Sequence, residues 1–131
     1  AIRDYCHQER DLTVSQPERI KVFYDRDMRR RLYEGESFKH IVDEIVAALP
    51  VRVYLSIDID ALDPKLCPNT GTPVPGGMEY EELCYLLNRI KESGKETVGF
   101  DLCEVSPGDN DWDGNVGARM LFHLCGVAAR D

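Results

Sequence analysis

The chain has 131 residues, 43% of them hydrophobic and 31% charged, and a formal net charge of -8. That length suits one domain of ordinary globular composition and argues against intrinsic disorder, while the acidic balance disfavours nucleic acid as a partner. No apolar run approaches the ~20 residues that a bilayer-crossing helix needs, so no membrane association is expected and a soluble protein is.

The chain opens Ala1-Ile2-Arg3-Asp4 with no Met, no helix cap and no flexible leader, as if reading began at the end of a strand. The natural protein is therefore expected to be longer. No repeat, low-complexity tract or linker is visible, and residues 1–131 are read as one structural unit. Ile20 to Tyr24 is a β-rich run. In the charged stretch that follows, Arg29-Arg30-Arg31 stands among Asp25, Asp27, Glu34 and Glu36, which suits a solvated helical face better than a basic patch. From about Ser37, Phe38, Ile41, Val42, Ile45 and Val46 recur at helical spacing until Pro50 closes the helix.

Val51 to Ile59 gives the strongest strand signal, rich in β-branched and aromatic residues. A long loop from Asp60 to Gly77 follows, too full of proline, glycine and asparagine for regular structure. Glu79 to Glu92 predicts an amphipathic helix with Leu83, Leu86, Leu87 and Ile90 on one face and Gly94 as its stop. A second strand is expected over Thr97 to Leu102, a polar loop over Ser106 to Gly114, and a last helix from about Asn115 to Ala129. Strands alternating with helices define the α/β class, with a parallel sheet joined by right-handed crossovers. Ligands of such sheets sit at the carboxyl ends of the strands, where both acidic clusters of this chain fall.

The first cluster is Ser56-Ile57-Asp58-Ile59-Asp60-Ala61-Leu62-Asp63-Pro64. While the chain stays extended, Asp58 and Asp60 project from one face and Ile57 and Ile59 from the other. Two converging carboxylates repel unless a cation sits between them, and oxygen ligands suit hard ions such as manganese or magnesium. From the spacing alone, an Asp-capped strand end before an Asp-Pro turn explains the residues equally well. A phosphatase-type Asp-x-Asp would want Thr or Val at the position of Leu62 and an earlier place in its chain. An EF-hand loop starting at Asp58 fails at Leu62, in place of an oxygen ligand, and at Asp63, in place of the turn glycine. The second cluster, Asp109-Asn110-Asp111-Trp112-Asp113-Gly114, starts like a calcium loop, but its twelfth position is Met120 and no helix precedes it. Asp111 or Asp113 is better read as the N-terminal cap of the last helix.

The five cysteines, Cys6, Cys67, Cys84, Cys103 and Cys125, are scattered and never spaced Cys-x-x-Cys, as expected of reduced thiols in the cytoplasm. Cys6-His7 and His123 with Cys125 each lack the second half of a zinc site.

The continuation of the first cluster, Cys67-Pro68-Asn69-Thr70-Gly71-Thr72-Pro73-Val74-Pro75-Gly76-Gly77, completes a longer pattern. Together they resemble a signature of the ureohydrolases, the family of arginase, agmatinase, formiminoglutamase and guanidinobutyrase. Asn69 departs from the Gly usual there, though Asn tolerates positive φ. Phe100 to Pro107 is similar to the family strand ending Glu-Val-x-Pro, and Ile2-Arg3-Asp4 to the end of an earlier family strand. The resemblance implies an arginase-like, three-layer parallel sheet with helices on both faces, of which this chain is the C-terminal part. It implies Asp58 and Asp60 as metal ligands in a site for two manganese ions (Mn2+), Glu104 as the carboxylate that contacts the substrate guanidinium, and Thr72 and Gly71 lining the pocket. The implied reaction is hydrolysis of a small linear guanidine or amidine with release of urea or formamide. The family's remaining ligands lie in Gly-Gly-Asp-His and Asp-Ala-His-x-Asp segments that are absent here. His7, His40 and His123 fit no such motif and read as surface or core residues. The isolated fragment is therefore expected to be inactive, and its parent to be a homo-oligomer. The rival reading is a non-catalytic α/β module, for metal binding or subunit interaction, that keeps the loop as scaffold.

Overall fold

A computed structural model describes residues 6–129. The chain divides after Ala48 into two compact units. The similarity around Ile2-Arg3-Asp4 lies outside the described residues.

The first unit holds three helices, α1 (His7–Ser15), α2 (Asp25–Tyr33) and α3 (Phe38–Ala48). Sequence reasoning missed α1, whose residues show no apolar stripe and none of which is buried. Ile20 to Tyr24 is not a strand. Its residues have the right propensity, but among the described residues no neighbour offers them a ladder, and a strand exists only through its pairing. In α2 the acids Asp25 and Asp27 occupy the first turn and Arg30 and Arg31 the last, the arrangement that opposes the helix dipole least. No residue of α2 is buried, but of the arginine triplet only Arg30 is well exposed, while Arg29 and Arg31 are half-buried and paired with Asp25 and with Glu36 and Glu44. Ser37 caps α3 by accepting from the His40 N–H at 3.2 Å, and the helix buries Ile41, Val42 and Val46.

The second unit is a β-α-β-α succession: β1 (Arg52–Asp58), α4 (Tyr80–Glu92), β2 (Glu96–Cys103) and α5 (Trp112–Ala128). The strands pair in parallel. The register slips by one residue between Val53 and Tyr54, which leaves Val98 as the extra residue of β2 and brings Gly99 opposite Tyr54. Beyond the slip, Ser56 faces Asp101 and Asp58 faces Cys103. Val53 and Leu55 are buried on one side of β1, while Tyr54, Ser56 and Asp58 stay open on the other. Helix α5 packs on β2 and on α4. The core gathers Leu83, Leu87 and Ile90 of α4 with Val116, Met120 and Leu124 of α5. Each such side chain contributes on the order of 1.5–3 kcal/mol when removed from water. The last helix begins three residues earlier than the apolar pattern suggested, at Trp112, whose indole N–H donates to the Lys65 carbonyl at 3.0 Å. The two parallel strands with their helices confirm the α/β class.

Candidate metal and substrate site

The site is built where β1 and β2 end. Asp58 is the last residue of β1, and the chain then turns through a single 3-10 turn, Ile59–Ala61, rather than continuing extended. The two residues are thus brought together by the turn and not by the alternation of an extended chain. Asp60 approaches Asp58 because the turn folds its N–H onto Asp58 Oδ1 at 3.0 Å. Ile59, between them, is buried and anchors the turn. Burial is the main cause that raises the Asp58 carboxyl above its ordinary range; the Asp60 N–H opposes this and the Asp60 carboxylate adds to it.

The loop after the turn closes on itself. The Asp63 N–H donates to the Met78 carbonyl and the Met78 N–H to the Ala61 carbonyl, both at 2.9 Å. Gly77 makes this closure possible: its φ is +92°, and a Cβ there would lie 2.7 Å from the Leu62 backbone. Asp63 serves the loop, accepting from the Lys65 N–H at 3.0 Å. Cys67 is buried under the turn, its Sγ 3.3 Å from the Ile59 carbonyl, and burial pushes its thiol up to about 11. It is an inert core thiol at neutral pH.

Four consecutive loop residues then meet three different parts of the unit. Asn69 donates its backbone N–H and its side-chain Nδ2 to the Asp113 carboxylate, each at 2.9 Å. The Thr70 hydroxyl donates to the Glu104 carbonyl at 3.0 Å. Gly71 lies against the Glu104 carboxylate, where a Cβ would stand 3.3 Å from Oε2. The Thr72 hydroxyl donates to Asp60 Oδ2 at 2.9 Å. Glu104 itself, the first residue after β2, has φ +62°, the one described non-glycine residue at positive φ. Such a conformation costs about 1–3 kcal/mol and persists where surrounding structure dictates it, often at functional sites.

The structure thus brings Asp58, Asp60, Thr72, Gly71 and Glu104 to the paired ends of β1 and β2. It corrects one expectation. Asp111 takes the N-cap position of α5 without a side-chain cap bond, and Asp113, in the first turn, is buried and held by Asn69. Sequence reasoning also missed Asp101, which accepts from Ser56 Oγ at 2.9 Å and from Cys103 Sγ at 3.2 Å beside Asp58. These donors, Cys103 first, hold its carboxyl below the usual range. The parallel register that sets Ser56 opposite Asp101 has no signature within either strand.

As a test of metal fit, Asp58 and Asp60 are all-oxygen donors whose mutual repulsion a hard divalent cation would relieve. They supply two ligands, and among the described residues no third His, Cys, Asp or Glu joins them within ligating reach. The cluster that does have ligand spacing is elsewhere. Glu36, just before α3, lies with His40 and Glu44 of that helix, His40 being 3.0 Å from Glu36 and 3.6 Å from Glu44. The Arg31 guanidinium already bonds Glu36 at 2.5 Å and Glu44 at 2.8 Å, so a cation would have to displace it. A groove of about 590 Å³ between α4 and α5, lined by Tyr80, Glu81, Arg119, Phe122 and His123 among others, is separate from the acidic strand end.

The fold that carries this strand end, parallel strands alternating with helices, is the arginase-like α/β fold. The model of the arginase family matches residues 1–126, and the chain belongs to that family. It is 43% identical over 86 residues to the N(1)-aminopropylagmatine ureohydrolase of Thermus thermophilus, covering 66% of this chain and 29% of that protein. It is 41% identical over 98 residues to the agmatinase of Pyrococcus horikoshii, covering 72% of this chain and 33% of that protein. The chain thus spans about a third of the length of these relatives. Among solved structures it is similar to the arginase of Bacillus subtilis, with a TM-score of 0.75, 23% identity, and 98% of this chain and 42% of that one covered. The proclavaminate amidino hydrolase of Streptomyces clavuligerus follows with a TM-score of 0.74 and 27% identity, covering 89% of this chain and 38% of that one.

Proposed function

We propose that this chain is the C-terminal part of a single ureohydrolase domain that hydrolyses a linear guanidine or amidine with the help of two manganese ions, releasing urea or formamide. The observation that carries the reading is the convergence of the two strand ends: Asp58 with Asp60 on one, Glu104 in a left-handed conformation on the other, and Thr70 to Thr72 bonded across both. Asp58 and Asp60 would hold the metal. When bound, the ions supply Lewis acidity and a nucleophile usable near neutral pH.

The residues of the chain have separate tasks. Thr72 fixes the orientation of the Asp60 carboxylate by donating to one of its oxygens. Glu104 receives the cationic end of the substrate through charge-assisted hydrogen bonds, and Gly71, lacking a side chain, leaves room beside its carboxylate. The names of the relatives, which act on aminopropylagmatine, agmatine or arginine, support a guanidino substrate. All five cysteines are free, in keeping with a cytoplasmic protein, and no described helix is long and apolar enough to cross a membrane.

In the full-length protein, Asp58→Ala or Asp60→Ala should each abolish most urea release and lower the bound manganese. Glu104→Gln should cut turnover at least tenfold with manganese retained. Full activity and metal content in both aspartate variants would overturn the metal assignment, and loss of manganese in Glu104→Gln would overturn the assignment of that residue to substrate.

A further inference from the structure

We infer that Asn69, Gly108 and Asp113 form a positioning device that sets Glu104 toward the substrate, an inference that rests on the role proposed for Glu104. Asp113 is only 1% exposed, and a buried carboxylate is costly unless its oxygens are satisfied. Here each oxygen takes one N–H of Asn69, Oδ2 from the backbone and Oδ1 from the side chain. Its place in the first turn of α5 adds the favourable end of the helix dipole. The Asn69 amide in turn occupies the space over Gly108, where a Cβ would fall 2.3 Å from Nδ2 and 2.6 Å from Oδ1. One side-chain amide is thus fitted between a buried acid and a residue that must lack a side chain.

The amide is also one residue from the substrate side of the loop. Thr70, next in the chain, holds the Glu104 carbonyl, and Gly71 abuts the Glu104 carboxylate. Fixing residue 69 to the start of α5 therefore fixes the two residues that keep Glu104 at φ +62°. A glycine at 69 would keep the backbone bond to Asp113 and lose the side-chain bond, leaving one carboxylate oxygen without its donor. Asn69 and Asp113 are positioning residues, since their side chains hydrogen-bond to one another and not to Asp58, Asp60 or the Glu104 carboxylate.

The test uses the full-length protein loaded with manganese, with arginine and agmatine as probes. Asn69→Gly should raise KM about three- to tenfold, with kcat changed less than twofold and manganese content unchanged. Gly108→Ala should reproduce this effect in the parent background, by expelling the amide, and add nothing in the Asn69→Gly background, where no amide remains to be expelled. The exchange Asn69→Asp with Asp113→Asn, which reverses donor and acceptor, should recover most of the affinity lost by Asn69→Asp alone. Independently of turnover, exchange of the residue 69 and Thr70 amide hydrogens, which are bonded to Asp113 and to the Cys67 carbonyl, should quicken at least fivefold in Asn69→Gly, with or without metal. Wild-type KM and exchange in Asn69→Gly, or additive effects of Asn69→Gly and Gly108→Ala, would overturn the inference. If Glu104→Gln also left turnover unchanged, the proposed function would fail instead, and the exchange result would still report on the device.

Discussion

At the scale of single residues, Glu104 does two things that conflict. Its carboxylate is the one proposed to receive the substrate, yet its backbone sits at φ +62°, where a side chain is disfavoured and glycine is not. The Thr70 hydroxyl bond to its carbonyl helps hold the conformation. Stability and function should therefore separate here. Glu104→Gly should leave stability unchanged or raise it by up to about 1 kcal/mol, whereas Glu104→Val, β-branched and poorly suited to that region, should lose about 1–3 kcal/mol. Both should lose turnover. Urea denaturation midpoints decide the matter, and equal midpoints for the Gly and Val variants would show that residue 104 is not held left-handed. The placement of Asp58, Asp60 and Glu104 at the strand ends was legible in the sequence because the motif is continuous around each. Asn69 with Asp113, 44 residues apart, was not, because the bond depends on where α5 starts and the apolar pattern placed that start three residues late.

At the scale of elements, β1, α4 and β2 were legible within a residue or two because period and composition agree in them. Ile20 to Tyr24 shows the limit of that reasoning, since strand propensity cannot supply a partner strand. Helix α3 and the segment before it carry the network of Arg31 with Glu36 and Glu44, in which the Arg31 hydrogen bonds are the leading cause that holds both carboxyls below their ordinary range. Groups with depressed folded values stabilise above the unfolded pKa of about 4.5, and that contribution is lost as pH falls through the folded values. The difference in helix content between the wild type and Arg31→Gln should thus be greatest above about pH 5 and vanish in stronger acid. Because these carboxylates are solvent-accessible, the difference should also shrink in 1 M salt. Circular dichroism across pH checks both, and a gap that widened in acid would contradict the assigned cause.

At the scale of the whole chain, two features point to material beyond these residues. Asp58 and Asp60, the two proposed metal ligands, are joined by no third His, Cys, Asp or Glu within ligating reach among the described residues. Manganese affinity rests on a complete, pre-positioned shell, so two carboxylates alone should bind divalent ions weakly. The second feature is the sheet. It has two strands, so each is an edge with one side of its backbone unpaired among the described residues, and two-stranded sheets are marginal alone. Val51 just before β1, Tyr54 on β1 and Val98 on β2 are 74%, 58% and 45% exposed. An apolar, open-edged surface of this kind favours pairing with another chain. Residues 1–131 produced alone should therefore release no urea from arginine or agmatine in excess manganese, and should run in light scattering as a dimer or larger species. A stable monomer with measurable turnover would show that the two-carboxylate site suffices and that the exposed strands need no partner.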